Sequence, residues 1–217
     1  MEIKATQRLY KSEVRAKLLK PSADVLNAHA KDLATALNNI GAWYENNSLA
    51  RIRDKFQPSC EVLVSLFGYT PYIGDVYRVI QYAPKLMVEG LYEGARVTLK
   101  TGLRPLQSWA ASLSGALYYH SGNQFAVSNV LMRLISSGQQ VANTDWLFVI
   151  LDYLKSISVV CHPSIKAAAI YLTETLRDFA KEDEVVMLLS KNAKVEVMAL
   201  LNWTDKRQVV RKMAIPR

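Results

Sequence analysis

Leu26, Ala30, Leu33, Leu37, Ile40 and Tyr44 recur at alternating spacings of four and three. That rhythm returns each side chain to one stripe of an α-helix, and it predicts a helix over 22–46. Ser22 has the chemistry of an N-cap, and Asp24 in the first turn complements the positive end of the helix dipole. Gly41 weakens the helix locally without breaking it. Almost three heptads in register would also serve a coiled-coil seam. A helix packed inside its own domain is the commoner use of such a stripe.

The rest of the chain is read against this helix. Ile3, Tyr10, Val14 and Leu18 share a face over 3–20, with Lys4, Arg8, Lys11 and Arg15 lining another, and Pro21 ends the segment. Asn46, Asn47 and Ser48 read as a turn before a short basic helix through Lys55. Residues 58–106 are broken by Pro58, Pro71, Pro84 and Pro105 and by scattered glycines. Within them, 62–67 and 75–82 suit short helices or buried strands. The stretch 94–102 alternates like a half-buried strand or closes a helix from Lys85. Helical stripes are then expected over 106–117, 125–135, 147–157, 164–180, 182–190 and 193–201. Thr204 and Asp205 would cap a last basic helix through Met213. The expected fold class is mainly α, an irregular multi-helix single domain with proline- and glycine-broken segments in the middle and room for minor β structure. A basic helical arm over 1–57 would precede a main helical body over 58–217.

Charge is concentrated at the ends. The net charge is +8, and residues 1–20 and 205–217 each contribute four net positive charges, so the middle of the chain is neutral. Basic ends on a neutral body point to an acidic partner. Residues 61–140 hold only ten charged residues in eighty, so most of that stretch must be buried in a core or against another subunit. The two cysteines, Cys60 and Cys161, are too far apart and too few for a disulfide framework or a metal site. No apolar run approaches the length of a membrane span. A cytoplasmic protein without a membrane role is expected.

Searches for chemistry return little. The histidines, His29, His120 and His162, have no metal-pair spacing, and Cys161 and His162 are adjacent, so they would point apart on a helix or strand. No phosphate-binding glycine loop and no nucleophile elbow occur. Asp75, Glu89 and Glu93 are separated carboxylates, with Glu89 and Glu93 at an ordinary helical spacing. Glu182, Asp183 and Glu184 read as acidic residues at a helix start. No cofactor, metal or catalytic residue is expected.

The opening Met1-Glu2-Ile3-Lys4-Ala5-Thr6-Gln7-Arg8-Leu9 resembles a start seen in proteins of large tailed bacteriophages, an M-x-I-K-A-x-x-R-L stretch. The resemblance covers nine residues and carries over no functional residue. It implies a phage-encoded protein, either a virion component or a factor working around phage nucleic acid in the host cytoplasm.

These readings lead to a non-enzymatic nucleic-acid-binding protein, with RNA or single-stranded DNA as partner. Lys4, Arg8, Lys11, Arg15, Lys206, Arg207, Arg211 and Lys212 would meet phosphates, helped by Arg96, Lys100 and Arg104 at spacings of four. Tyr10 and Trp203 would stack on bases. The alternative is a phage structural or assembly protein, a homo-oligomer formed through the charge-poor middle or the 26–44 seam.

Overall fold

A computed structural model of the chain describes residues 2–46, 49–81, 92–100, 105–122, 129–135, 138–177, 179 and 183–201. Seven helices are named in it: α1 (Glu2–Lys17), α2 (Ala23–Ala28), α3 (Ala30–Asn46), α4 (Ala50–Phe67), α5 (Leu113–Gly122), α6 (Thr144–Ser156) and α7 (Pro163–Arg177). Seven strands accompany them: β1 (Tyr77–Gln81), β2 (Arg96–Lys100), β3 (Leu106–Ala110), β4 (Asn129–Leu134), β5 (Gln139–Asn143), β6 (Glu184–Leu188) and β7 (Asn192–Leu201). The chain divides into two compact units. One is Met1–Tyr72 with Val141–Ala180, and the other is Ile73–Gln140 with Lys181–Arg217.

The first unit is helical. Ser22 caps α2 by accepting from the Val25 amide, as its sequence position implies. The helix expected over 22–46 breaks once, at His29, so it forms α2 and α3. Leu26, Leu33, Leu37 and Ile40 are fully buried, and α3 packs on α4 and α7. The stripe is therefore buried inside the unit. Pro58 lies within α4 instead of starting a new body. An internal proline costs a helix about 3 kcal/mol. Here the burial of Phe56, Cys60, Leu63 and Phe67 on the same helix offsets it.

The second unit overturns the expectation of a mainly α, single-domain chain. Its sheet has the order β2-β7-β4-β1-β3-β6-β5. The pairs β2–β7, β7–β4, β4–β1, β1–β3 and β3–β6 are antiparallel. Four of the stripes read as helices contain strands. The 106–117 stripe splits into β3, a turn at Ala111 and Ser112, and α5. The 125–135 stripe contains β4, in which Val130, Leu131 and Met132 are consecutively buried beside a register shift. β6 is buried from Glu184 to Met187. Runs buried on both faces have no period of two to reveal them, and short ones match a helix equally well. β7 differs, because Ala193, Val195, Val197 and Ala199 alternate strictly inward. α5 packs on the sheet through Ala116, Leu113 and Leu117 against Val79, Ala110, Leu131 and Ala199.

β1 pairs with β4 along five residues but meets β3 at one pair, Tyr77–Ala110. The sheet is thus two ribbons, β2-β7-β4-β1 and β3-β6-β5, joined at a short seam. Ala110 is also the register partner of Glu184 on β6, so Tyr77, Ala110 and Glu184 form one row across the seam.

Candidate functional site

The cations expected to meet phosphates are distributed as follows. Lys4 and Arg8 lie on α1, and their side chains are outside the described residues. Lys11 is half exposed and pairs with Asp145 at 2.9 Å, while Arg15 pairs with Asp152 at 3.2 Å, both partners being on α6. Arg96 is an exposed residue of β2, opposite Glu196 in register. Lys100 ends β2, with its side chain outside the described residues. Arg104, Trp203, Lys206, Arg207, Arg211 and Lys212 all lie outside the described residues.

Tyr10 is not presented for stacking. Its ring is buried, and its hydroxyl donates to the Thr70 carbonyl at 2.8 Å and accepts from Asn143 at 2.8 Å. The face of α1 that carries it is the inward one. An aromatic between two cations, Arg8 and Lys11, reads as a base-stacking group in sequence, yet one helical turn is enough to put the ring inside and the charges outside.

Other residues weighed for chemistry have structural partners. Asp75 and Glu196 both accept from Arg133, on Nη1 and Nη2 respectively. Those two bonds raise the Arg133 pKa. Cys60 is buried in α4, and burial pushes its thiol pKa up, away from the reactive thiolate. Cys161 sits in the turn between α6 and α7, where the His162 ring meets the Ser164 hydroxyl at 2.8 Å. Among the described residues no group of three or more His, Cys, Asp or Glu side chains is arranged to hold a metal ion, and no helix is long and apolar enough to cross a membrane.

One cluster at the seam was not anticipated from the sequence. Arg78 on β1 reaches across to β3, where its Nη1 donates to the Ser108 carbonyl at 2.8 Å and lies 3.4 Å from Gln107 Oε1. The Ser108 hydroxyl donates to Glu184 Oε1 at 2.5 Å. The Ser108 hydroxyl and Glu184 lie on the same sheet face as Tyr77 and Ala110, whereas Arg78, one residue on from Tyr77, reaches the Ser108 backbone carbonyl and Gln107 from the opposite face. Glu184 is only 5 % exposed, which is unusual for a carboxylate. It stands at the head of β6 and is not at a helix start. Arg78 and Ser108 are half-buried.

Asp183 and Ser112 support the cluster from one side. Asp183 has φ +47°, a left-handed conformation that aspartate tolerates better than most residues. Its carbonyl accepts from the Ala111 amide at 2.8 Å, and its carboxylate accepts from the Ser112 hydroxyl at 3.2 Å.

The sequence signal for this site was thin. Glu184 is followed directly by Val185, Val186, Met187 and Leu188. A charge at the mouth of an unbroken apolar run is the one mark that could have singled it out. No protein-family model, curated protein sequence or solved structure matches the chain at a significant level.

Proposed function

We propose that the protein binds nucleic acid without sequence preference, its phosphates met by the basic face of α1, as the charge distribution implies. The observation that carries this reading is that Lys11 and Arg15 are exposed at a spacing of four on α1.

A phage origin, implied by the opening nonapeptide, fits this reading. Fluorescence anisotropy with labelled single-stranded RNA, single-stranded DNA and duplex DNA across a salt series tests it: affinity that falls steeply as salt rises supports it, and no binding at low salt would remove it.

A further inference from the structure

From the ion pairs between α1 and α6, we infer that Arg15 is the cation of the α1 face that takes phosphate and that Asp152 is its internal competitor; this deepens the nucleic-acid reading and rests on it. The two cations of the face are held differently. Lys11 meets Asp145 at 2.9 Å, and Arg15 meets Asp152 at 3.2 Å through one guanidinium nitrogen, Nη2. Both carboxylates belong to α6, which packs on α1. The Asp145 side chain is only 13 % exposed, whereas those of Arg15 and Asp152 are 64 % and 65 % exposed. Lys17, the next cation along α1, pairs with Glu13 on its own helix at 2.5 Å.

These differences assign the roles. Withdrawing Lys11 would leave a largely buried carboxylate without its cation, which is costly, so this pair stays closed and pins α1 to α6. Asp152 is wet enough to be resolvated when Arg15 turns away, and an exposed pair of this kind is weak. Arg15 is thus the movable cation. A guanidinium grips phosphate best with two parallel donors, and Asp152 occupies one of the nitrogens that would supply them. A phosphate that takes Arg15 exchanges one anion for another, so a single phosphate gains little. A polymer brings neighbouring phosphates to the same face and releases counterions as it binds, which tips the exchange.

The experiment is fluorescence anisotropy at low salt with labelled single-stranded RNA, single-stranded DNA and duplex DNA. It compares the full-length parent with Asp152→Asn, Asp32→Asn, Arg15→Gln and the double variant of Arg15→Gln with Asp152→Asn. Asp32 is exposed on α3, so its replacement makes the same change in net charge without touching the α1–α6 pairs. Competition predicts an affinity about threefold to fivefold higher in Asp152→Asn and a smaller gain in Asp32→Asn. Once Arg15 is glutamine, Asp152→Asn should add no more than Asp32→Asn does. No gain in Asp152→Asn, an equal gain in Asp32→Asn, or a gain that survives Arg15→Gln would overturn the competitor while the nucleic-acid reading stands. No binding by any of the five proteins would remove that reading and the competitor with it.

Discussion

Asn143 donates its side-chain amide to the Tyr10 hydroxyl 2.8 Å away, across 133 residues of chain. The same amide lies 3.3 Å from the Tyr69 hydroxyl, and the Asn143 side-chain oxygen accepts from the Trp146 amide at 2.8 Å as the N-cap of α6. One buried side chain thus joins α1, the segment after α4 and the start of α6. Replacing Asn143 by Ala removes a helix cap and leaves buried hydroxyls short of a partner. The expected loss is about 2–3 kcal/mol of stability, read as a lower urea midpoint. Tyr10→Phe, which removes one hydroxyl and keeps the ring, should cost less, about 1 kcal/mol. A midpoint unmoved by Asn143→Ala would show that this network contributes nothing.

At the seam of the sheet, Ser108→Ala removes the hydroxyl that donates to the buried Glu184 carboxylate and is expected to cost about 1–3 kcal/mol of stability, read as a lower urea midpoint. An unmoved midpoint would show that this bond contributes nothing.

Alkaline pH should destabilise the first unit. Burial is the main cause raising the pKa values of Tyr10 and Tyr69 above the ordinary tyrosine value. A tyrosine in the unfolded chain loses its proton near pH 10, whereas these two keep theirs when folded. The unfolded state therefore binds fewer protons above that pH, and stability falls as pH rises through it. Below pH 10 the contribution is fully present. Urea midpoints measured between pH 8 and pH 11 should drop above pH 10, and less so in Tyr10→Phe.

Leu37 is fully buried between packed helices. Leu37→Ala should cost about 2–5 kcal/mol, and Leu37→Asp should unfold the unit. Were α3 instead a self-association seam, the aspartate variant would remain folded and become monomeric, which sedimentation together with circular dichroism distinguishes.

Gly41 on α3 faces Tyr171 on α7, and an added Cβ there would collide with the Tyr171 ring. Helix propensity alone favours Gly41→Ala by about 1 kcal/mol. The collision reverses the sign, with an expected net loss of about 1–3 kcal/mol in thermal or urea unfolding. A stabilised Gly41→Ala protein would show that the Tyr171 ring moves aside freely.

The helical unit was legible because its stripes are long. Leu26 through Tyr44 sustain one period for five turns, and Ser22 announces the start. The sheet was hidden for two separate reasons. In β6 and β4, consecutive residues such as Val185, Val186 and Met187 are all buried, so no alternation survives to oppose a helical reading. In β7 the alternation of Ala193, Val195, Val197 and Ala199 was present, but the intervening Met198 and the small Ala residues blurred the contrast between faces. The site was hidden more deeply. Arg78, Ser108 and Glu184 are separated by 30 and 76 residues, and each is unremarkable in its own neighbourhood. The contacts of Ser108 with Arg78 and with Glu184 depend on the order of strands, which local periodicity does not encode.

Both units are assembled from two separate stretches of chain, and this imposes a schedule on synthesis. β2 is held in the sheet by β7 alone, and β3 by β6 along its full length. As the chain emerges, β2 and β3 appear some ninety residues before β7 and about eighty before β6. During that interval the apolar sides of Val97, Leu99, Leu106 and Trp109 have no lasting shelter. The intervening residues complete the helical unit first. Glu184, the acceptor for the Ser108 hydroxyl, arrives only with the last strands, so a nascent chain carries Ser108 without that partner until synthesis is nearly finished.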